Sequence, residues 1–234
     1  AILDASRVMG YRNGENPARW KGHLDKLLPR REKVRRVKHH AAVPYAALPE
    51  FMQRLEGQSS VSASALHFLI LTAARTKEVR LAKWDEIDLE KGVWVVPAER
   101  MKARNEHRVP LSSKAQAILV AMREMGDDGY VFSGSRKGEP LSDMTMLQLL
   151  RRMEPSGVTV HGFRSSFRDW AAERSAYSSE VAEMALAHTV SDKVEAAYRR
   201  GDLFEKRKRI MDDWAQFCTY AEIDNVVNLP LSGS

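Results

Sequence analysis

Cysteine is almost absent from this chain of 234 residues, and its absence limits the possible chemistry. Cys218 is the single cysteine, so no intrachain disulfide can form, which is typical of proteins in a reducing compartment. No group of cysteine and histidine residues has zinc-site spacing, and the neighbours His39 and His40 would point in different directions on a helix. We therefore expect neither a metal site nor a cofactor.

Long apolar runs are also missing. The longest run, near residues 66–71, is far shorter than the roughly 20 residues needed to cross a bilayer, and the N-terminus shows no secretory signal. We therefore expect a soluble protein in the cytoplasm, with no membrane partner. Because the first residue is Ala1 and not methionine, we also expect the chain to be part of a longer protein.

Positive charge is in excess, with a net charge of +6. The excess is concentrated in the stretches 19–38 and 199–209. Clustered cations favour a polyanionic partner such as nucleic acid. A solvated helix face or linker explains either cluster alone equally well. An anionic membrane surface fits less well, because the basic stretches have no matching aromatic face.

The hydrophobic pattern predicts an α+β protein that is mainly α-helical. Apolar residues at helical spacing predict helices over 62–73, 113–125, 142–153, 163–174, 179–187, 193–198 and 203–220. Thr76 is a suitable N-cap for one more short helix, which places Arg75 at a tight junction between two helices. The stretches 86–89, 93–96 and 106–111 predict a small three-stranded antiparallel sheet. Lys102 lies in the charged loop between the last two strands.

Proline, glycine and charge divide the chain into four parts. Residues 1–30 form a helical piece, broken by Gly10, Gly14 and Pro17, and residues 31–43 form a basic linker. Residues 44–220 form the main domain. Residues 221–234 are expected to be a flexible tail.

Two arginines and two histidines form a candidate anion site. Guanidinium groups hold phosphate oxygens through paired hydrogen bonds, so Arg75 and Arg164 can clamp a phosphodiester without a metal. His161 lies three positions before Arg164 on the same helix face, and Gly162 leaves room for a close approach. His188 would add a further donor. Taken singly, a core histidine or a surface arginine is an equally good interpretation.

Tyr198 and Lys102 are candidates for attack and proton transfer. A tyrosine hydroxyl against a clamped phosphodiester can act as a nucleophile, and nearby positive charge favours its phenolate form. A loop lysine near other cations loses its proton more easily, which suits a general acid. Taken singly, a packing tyrosine and a solvated loop lysine are the more common cases.

The order of these residues resembles the tyrosine recombinase (phage integrase) family, and most of all the phage-type integrases of genomic islands. The resemblance covers about residues 42–201. It is carried by Arg75, the hairpin lysine Lys102, the stretch from His161 to Arg174, the Leu186–Thr189 motif and the Ala196–Arg200 motif. It identifies residues 44–220 as a catalytic domain with the tyrosine recombinase fold, and residues 1–30 as the end of a core-binding domain.

The resemblance also implies a role for each candidate. Arg75 and Arg164 would clamp the scissile phosphate, and His188 would donate to it. Lys102 would protonate the leaving 5′-oxygen. Tyr198 would attack the phosphorus and form a 3′-phosphotyrosyl link.

Other positions of the family pattern are also filled. His161 would assist proton transfer, and Glu78 matches an acidic residue that supports the site. Many members have glycine where this chain has Ala73 and Ala187. Alanine tolerates helical dihedrals, so we expect only small local shifts of the backbone.

The implied function is that of a site-specific DNA recombinase. Its partners would be double-stranded DNA attachment sites, further integrase subunits in a synaptic tetramer, and accessory DNA-bending proteins at the bacterial nucleoid. Two alternatives stay open. One is DNA relaxation of the type IB topoisomerase kind, and the other is a non-catalytic DNA-binding regulator with this fold.

Overall fold

The computed structural model describes residues 2–29, 41–126, 129–136, 138–188 and 201–220. Contacts divide the chain into two compact units, Ala1–His39 and His40–Ser234. The first unit contains helix α1 (Ile2–Val8) and the short helix α2 (Asp25–Leu27). Between them the backbone turns at glycines with positive φ, including Gly10 and Gly14. None of the described residues of this unit is buried.

The second unit is mainly helical, as the hydrophobic pattern predicts. Its α-helices, among the described residues, are α3 (Leu48–Glu56), α4 (Val61–Thr72), α5 (Thr76–Arg80), α6 (Ser113–Glu124), α7 (Thr145–Met153), α8 (Gly162–Arg174), α9 (Ser179–Ala185) and α10 (Phe204–Thr219). The helix predicted over 193–198 and the tail at 221–234 lie outside the described residues. No described helix has the length and apolar character that a bilayer crossing requires.

Helix α4 lies at the centre of the second unit. It is apolar on all faces, which is the pattern of a helix surrounded by protein. The Ser60 hydroxyl accepts a hydrogen bond from the Ala63 N–H and caps its first turn. Helices α3, α5, α6, α7 and α10 pack around it. Each fully buried leucine or phenylalanine of α4 stabilises the fold by about 1.5–3 kcal/mol, so its C-terminal end at Thr72 is firmly placed.

The three-stranded antiparallel sheet is confirmed. It consists of β1 (Ile87–Asp88), β2 (Val93–Val96) and β3 (His107–Pro110), in that spatial order. In the register, Trp94 of β2 faces Ile87 of β1 and Val109 of β3. The Trp94 ring lies 5.5 Å from the ring of Phe68 on α4. This contact fixes the sheet, and the loop between β2 and β3, against the helical core.

Helix α10 closes the core of its own unit. Its predicted apolar stripe is buried at Ile210, Met211, Trp214 and Cys218. The Trp214 indole donates a 2.8 Å hydrogen bond to the carbonyl of Ile70, at the C-terminal end of α4. Burial raises the pKa of the Cys218 thiol, which keeps it protonated.

Candidate active site

Arg75 lies at the junction between α4 and α5, as the sequence indicates. The N-cap of α5 is Arg75 itself, not Thr76, and the Glu78 carboxylate at N3 bonds back to the N-cap N–H, as in a capping box. Glu78 Oε2 accepts a 2.8 Å hydrogen bond from the Arg75 backbone N–H, and Oε1 accepts a 2.8 Å bond from Arg75 Nη1. Glu78 is buried. One carboxylate therefore both begins the helix and orients the guanidinium.

Arg164 is buried on the first turn of α8. Its Nη1 donates to the carbonyl of Ala73, and its Nη2 donates to the carbonyl of Leu186 at 2.6 Å. Burial lowers the pKa of Arg164 to about 10, and the positive charge of Arg75 acts in the same direction. The guanidinium still carries its charge at neutral pH. Two cations are thus held close together inside the fold.

The carbonyl of Leu186 joins the two arginines. It accepts from Arg164 Nη2 and also, at 3.4 Å, from Arg75 Nη2. The carbonyl of Ala187 accepts a second bond from Arg75 Nη2, at 3.2 Å. A carbonyl oxygen has two lone pairs, so it can serve both donors. The turn after α9 is therefore the element that brings Arg75 and Arg164 together.

This turn forms because α9 ends at Ala185. The sequence had predicted that the helix continues to residue 187. The N–H of Ala187 bonds to the carbonyl of Met184, and the N–H of His188 bonds to the carbonyl of Glu183, both at 3.0 Å. These two bonds form a Schellman motif, which requires a left-handed residue at Ala187. Ala187 has φ of 49°. The motif frees the carbonyl oxygens of Leu186 and Ala187 for the arginines.

Ala73 adopts the same unusual conformation at the end of α4, with φ of 48°. The expectation of ordinary helical dihedrals at Ala73 and Ala187 is therefore wrong, because both residues are left-handed. A side chain with a Cβ loses about 1–2 kcal/mol in this region. The carbonyls of these two alanines are hydrogen-bond acceptors of Arg164 and Arg75, respectively. Each arginine therefore bonds to the carbonyl of an alanine whose backbone is strained.

Ala187→Gly should raise stability by about 0.5–1 kcal/mol, because the relief of left-handed strain exceeds the entropy cost of glycine. Thermal unfolding measures the effect, with an expected rise of about 2–4 °C per kcal/mol. Ala117→Gly on the exposed face of α6 is the matched control. It should lower stability by about 1 kcal/mol. Equal losses in both variants would contradict a left-handed Ala187.

His188 completes this cluster. Its Nε2 lies 3.1 Å from Arg164 Nη2, and its Nδ1 lies 2.5 Å from Glu183 Oε2. The side chain is partly exposed. The structure therefore brings Arg75, Arg164 and His188 together, with one ring nitrogen of the histidine directed at the arginines.

His161 lies one residue before α8 and is exposed. Its carbonyl accepts a 3.2 Å hydrogen bond from the Arg164 N–H. A Cβ on Gly162 would lie 2.8 Å from the Cα of Ala42 and would clash with the Ala41 carbonyl. The sequence suggested that Gly162 leaves space for a ligand. In the structure, residues 41 and 42 of the chain itself occupy that space.

Among the described residues, no hydrogen bond or ion pair joins Lys102 to the arginines. Lys102 is exposed in the loop between β2 and β3. It forms no hydrogen bond or ion pair with another described residue. Tyr198 lies outside the described residues, so its position stays a prediction from the sequence.

Two residues near the site were missed by sequence reasoning. Burial lowers the pKa of His107 on β3 to about 4, and the charge of Arg207 acts in the same direction, so this histidine is neutral. Glu183 bonds to His188, although five positions separate them in the chain. The only sequence signal for Glu183 was its position, about one and a half helical turns before the candidate residue His188. His107 gave no such signal, because its burial depends on the packing of β3 against other elements.

The residues after the undescribed stretch 189–200 are anchored to the sheet. Arg207 of α10 is buried, and its Nε donates a 2.7 Å hydrogen bond to the carbonyl of Asp202. Its Nη1 donates to the carbonyl of Arg108 on β3, and its Nη2 pairs with the Asp202 carboxylate, both at 2.5 Å. These bonds hold the entry to α10 against β3.

Comparison with known proteins identifies the group of proteins to which the chain is related. The model of the phage integrase family matches residues 44–203. The chain belongs to the phage integrase family. The match includes Arg75, Arg164 and His188, the three residues that converge in the structure.

Curated relatives in this family are prophage and phage integrases. Prophage integrase IntZ of Escherichia coli strain K12 is 37% identical over 186 residues, which cover 78% of this chain and 46% of IntZ. The integrase of Enterobacteria phage P4 is 31% identical over 202 residues, with coverage of 78% and 46%. The chain spans about half the length of the curated relatives it matches.

Solved structures of integrases share the fold. An integrase from mycobacterium phage Brujita has a TM-score of 0.58 and 17% identity, and the match covers 94% of this chain and 70% of that one. A lambda integrase tetramer bound to a Holliday junction has a TM-score of 0.55 and 16% identity, with coverage of 86% and 56%. The tyrosine recombinase catalytic fold is thereby confirmed.

Proposed function

We propose that the chain cleaves and rejoins DNA as a site-specific recombinase through a 3′-phosphotyrosyl intermediate. The observation that carries this proposal is the pair of guanidinium groups, Arg75 and Arg164, that share the Leu186 carbonyl. Each donates three side-chain hydrogen bonds to described residues, which leaves two of its five N–H groups. The Nε of Arg164 is buried without a partner among the described residues. A phosphate supplies the acceptors that such donors lack.

The reaction is a transesterification at phosphorus. The hydroxyl of Tyr198 loses its proton with the assistance of His161, and its oxygen forms a bond to the scissile phosphorus. The bond to the 5′-oxygen breaks, and Lys102 gives a proton to that oxygen. Arg75 and Arg164 neutralise the non-bridging oxygens, whose negative charge grows in the transition state. Religation reverses these steps with the 5′-hydroxyl of another strand. No net bond energy is lost, so rejoining needs no external energy source.

The supporting residues have assigned tasks in this proposal. Glu78 keeps Arg75 oriented between its two bonds. His188 donates to the phosphate, and His161 assists proton transfer. Residues 44–220 act as the catalytic domain, joined by the linker 31–43 to residues 1–30, the end of a core-binding domain. The tail 221–234 takes no part in the chemistry.

The partners follow from the proposed reaction. Strand exchange requires double-stranded DNA attachment sites and several subunits of the same kind, and a solved lambda integrase neighbour is described as a tetramer bound to a Holliday junction. We propose the same assembly here, with accessory DNA-bending proteins, at the nucleoid in the bacterial cytoplasm.

Covalent capture on nicked DNA tests the function. The protein is incubated, in EDTA, with nicked duplexes whose flanking sequence is randomised, and protein–DNA adducts are recovered under denaturing conditions. We expect an adduct that survives EDTA, because the arginines supply the charge that a metal would otherwise supply. Mass spectrometry should place the DNA on Tyr198.

The sequences recovered in the adducts separate this function from its alternatives. A supercoiled plasmid with two recovered sites should yield recombinants, and a plasmid with one site should not. Relaxation of both plasmids without recombinants would indicate a topoisomerase. Binding without any adduct would indicate a regulator, and cleavage only after addition of magnesium would indicate a metal-dependent nuclease.

A further inference from the structure

Glu183 lies between a candidate site residue and a surface arginine. Its Oε2 is 2.5 Å from His188 Nδ1, and its Oε1 is 2.8 Å from Arg168 Nε on α8. The Schellman motif makes this contact possible, because it folds His188 back onto the turn of α9 that carries Glu183. Both carboxylate oxygens are therefore engaged, one of them on the imidazole.

The contacts of His188 fix its tautomer. A guanidinium can only donate, so His188 Nε2 must accept the bond from Arg164 Nη2. The proton of the neutral ring is then on Nδ1, which donates to Glu183. In this form, Nε2 is directed at the arginine pair but cannot donate to a phosphate. Donation to a phosphate requires a second proton, at Nε2.

We propose that Glu183 is a positioning residue for His188: it holds Nε2 toward the phosphate site and balances the positive charge of the ring. This rests on the proposed function. When a phosphate takes the Arg164 N–H, Nε2 accepts a proton from solvent and donates it in a hydrogen bond to a phosphate oxygen. The imidazolium then lies between two anions, the phosphate and the Glu183 carboxylate, which stabilise its charge.

Arginines, a neutral histidine and the Glu78 carboxylate bonded to Arg75 also lie around His188. Arg164 and Arg168 approach from α8, and Arg75 bonds to the carbonyl of the adjacent Ala187. The His107 ring, on β3, bonds to the backbone of Ala185, one turn before His188. Among the described residues, Glu183 is the carboxylate that bonds to His188. Without it, the doubly protonated ring would lie beside Arg164 with no carboxylate bonded to it among the described residues.

Glu183→Gln tests the proposal while keeping the shape of the side chain. His188 and Arg168 bond to different carboxylate oxygens, and a glutamine has an oxygen at only one of these two positions and carries no charge. Single-turnover adduct formation on nicked DNA should slow by about tenfold to a hundredfold. The loss should appear in the rate at saturating DNA and not as weaker DNA binding, because Glu183 acts on the step that uses His188. Glu205→Gln, an exposed residue on α10, changes the charge equally and should leave both unchanged.

A double-mutant cycle with His188→Gln separates positioning from a general structural effect. If Glu183 acts through His188, the double variant Glu183→Gln/His188→Gln should be no slower than His188→Gln alone. Additive losses, or a slowing of Glu183→Gln that disappears at saturating DNA, would overturn the inference while the wild type remains active. If the wild type forms no adduct, the proposed function fails, and the inference fails with it. Thermal unfolding of each variant checks that the fold is intact.

Discussion

Tyr198→Phe should eliminate the covalent adduct with nicked DNA and leave DNA affinity within about twofold of the wild type. The substitution removes only the oxygen that attacks phosphorus, whereas the basic residues that bind phosphates are untouched. Loss of a nucleophile lowers the rate by about 10⁴-fold or more in enzymes whose residues act as a unit. Adduct formation is measured on denaturing gels, and affinity by fluorescence anisotropy at fixed salt.

Tyr177→Phe is the matched control for this prediction. The Tyr177 hydroxyl donates a 2.7 Å hydrogen bond to Asp213, and burial together with that bond raises its pKa to about 12. Its phenolate is therefore rare at neutral pH, which makes it a poor nucleophile. Tyr177→Phe should keep the adduct. An adduct that persists in Tyr198→Phe would show that another residue attacks.

Arg164→Lys should reduce the rate of cleavage by about 10²- to 10³-fold, although the charge is kept. The guanidinium of Arg164 reaches Ala73, Leu186 and His188 at the same time. A single ammonium group cannot reproduce this planar fork. A buried carbonyl would lose its donor, so stability should also fall by about 1–3 kcal/mol. Single-turnover kinetics and thermal unfolding measure the two effects.

Arg152→Lys on α7 gives the comparison for Arg164→Lys. Arg152 is exposed, so the same exchange there should change neither the rate nor the stability beyond about 0.5 kcal/mol. A fully active Arg164→Lys enzyme would show that charge alone suffices. The clamp geometry would then have no role in the reaction.

The sequence predicted the elements of the fold well, because each has a local signature. The three strands and the helices α4 and α6 to α10 lie within a few residues of their predicted bounds. The largest differences are at helix ends. The predicted start of α7 at Ser142 and the predicted end of α9 at Ala187 both extended the helices too far. At α9 the end depends on carbonyl oxygens that bond to arginines from distant parts of the chain, which no local pattern contains.

The candidate site was predicted in part. The convergence of Arg75, Arg164 and His188 followed from their motifs. The backbone conformation of Ala73 and Ala187 did not, because alanine gives no sign of a left-handed residue. The role of Glu183 was not predicted either. Residues five positions apart on a regular helix lie on different faces, and only the turn after α9 brings His188 to Glu183. The proposed roles of Lys102, His161 and Tyr198 remain predictions.

The use of main-chain carbonyls as arginine acceptors has a consequence for how this site tolerates genetic change. Every residue type has a carbonyl, so point substitutions at Ala73, Leu186 or Ala187 do not delete an acceptor. An insertion or deletion of one residue next to these positions would move the acceptor away from its arginine. The acceptors therefore constrain the lengths of the two junctions, and the left-handed backbone at Ala73 and Ala187 separately limits which residues fit there. In-frame insertions and deletions at these junctions should therefore be far rarer than missense variants among copies of the gene whose product is active.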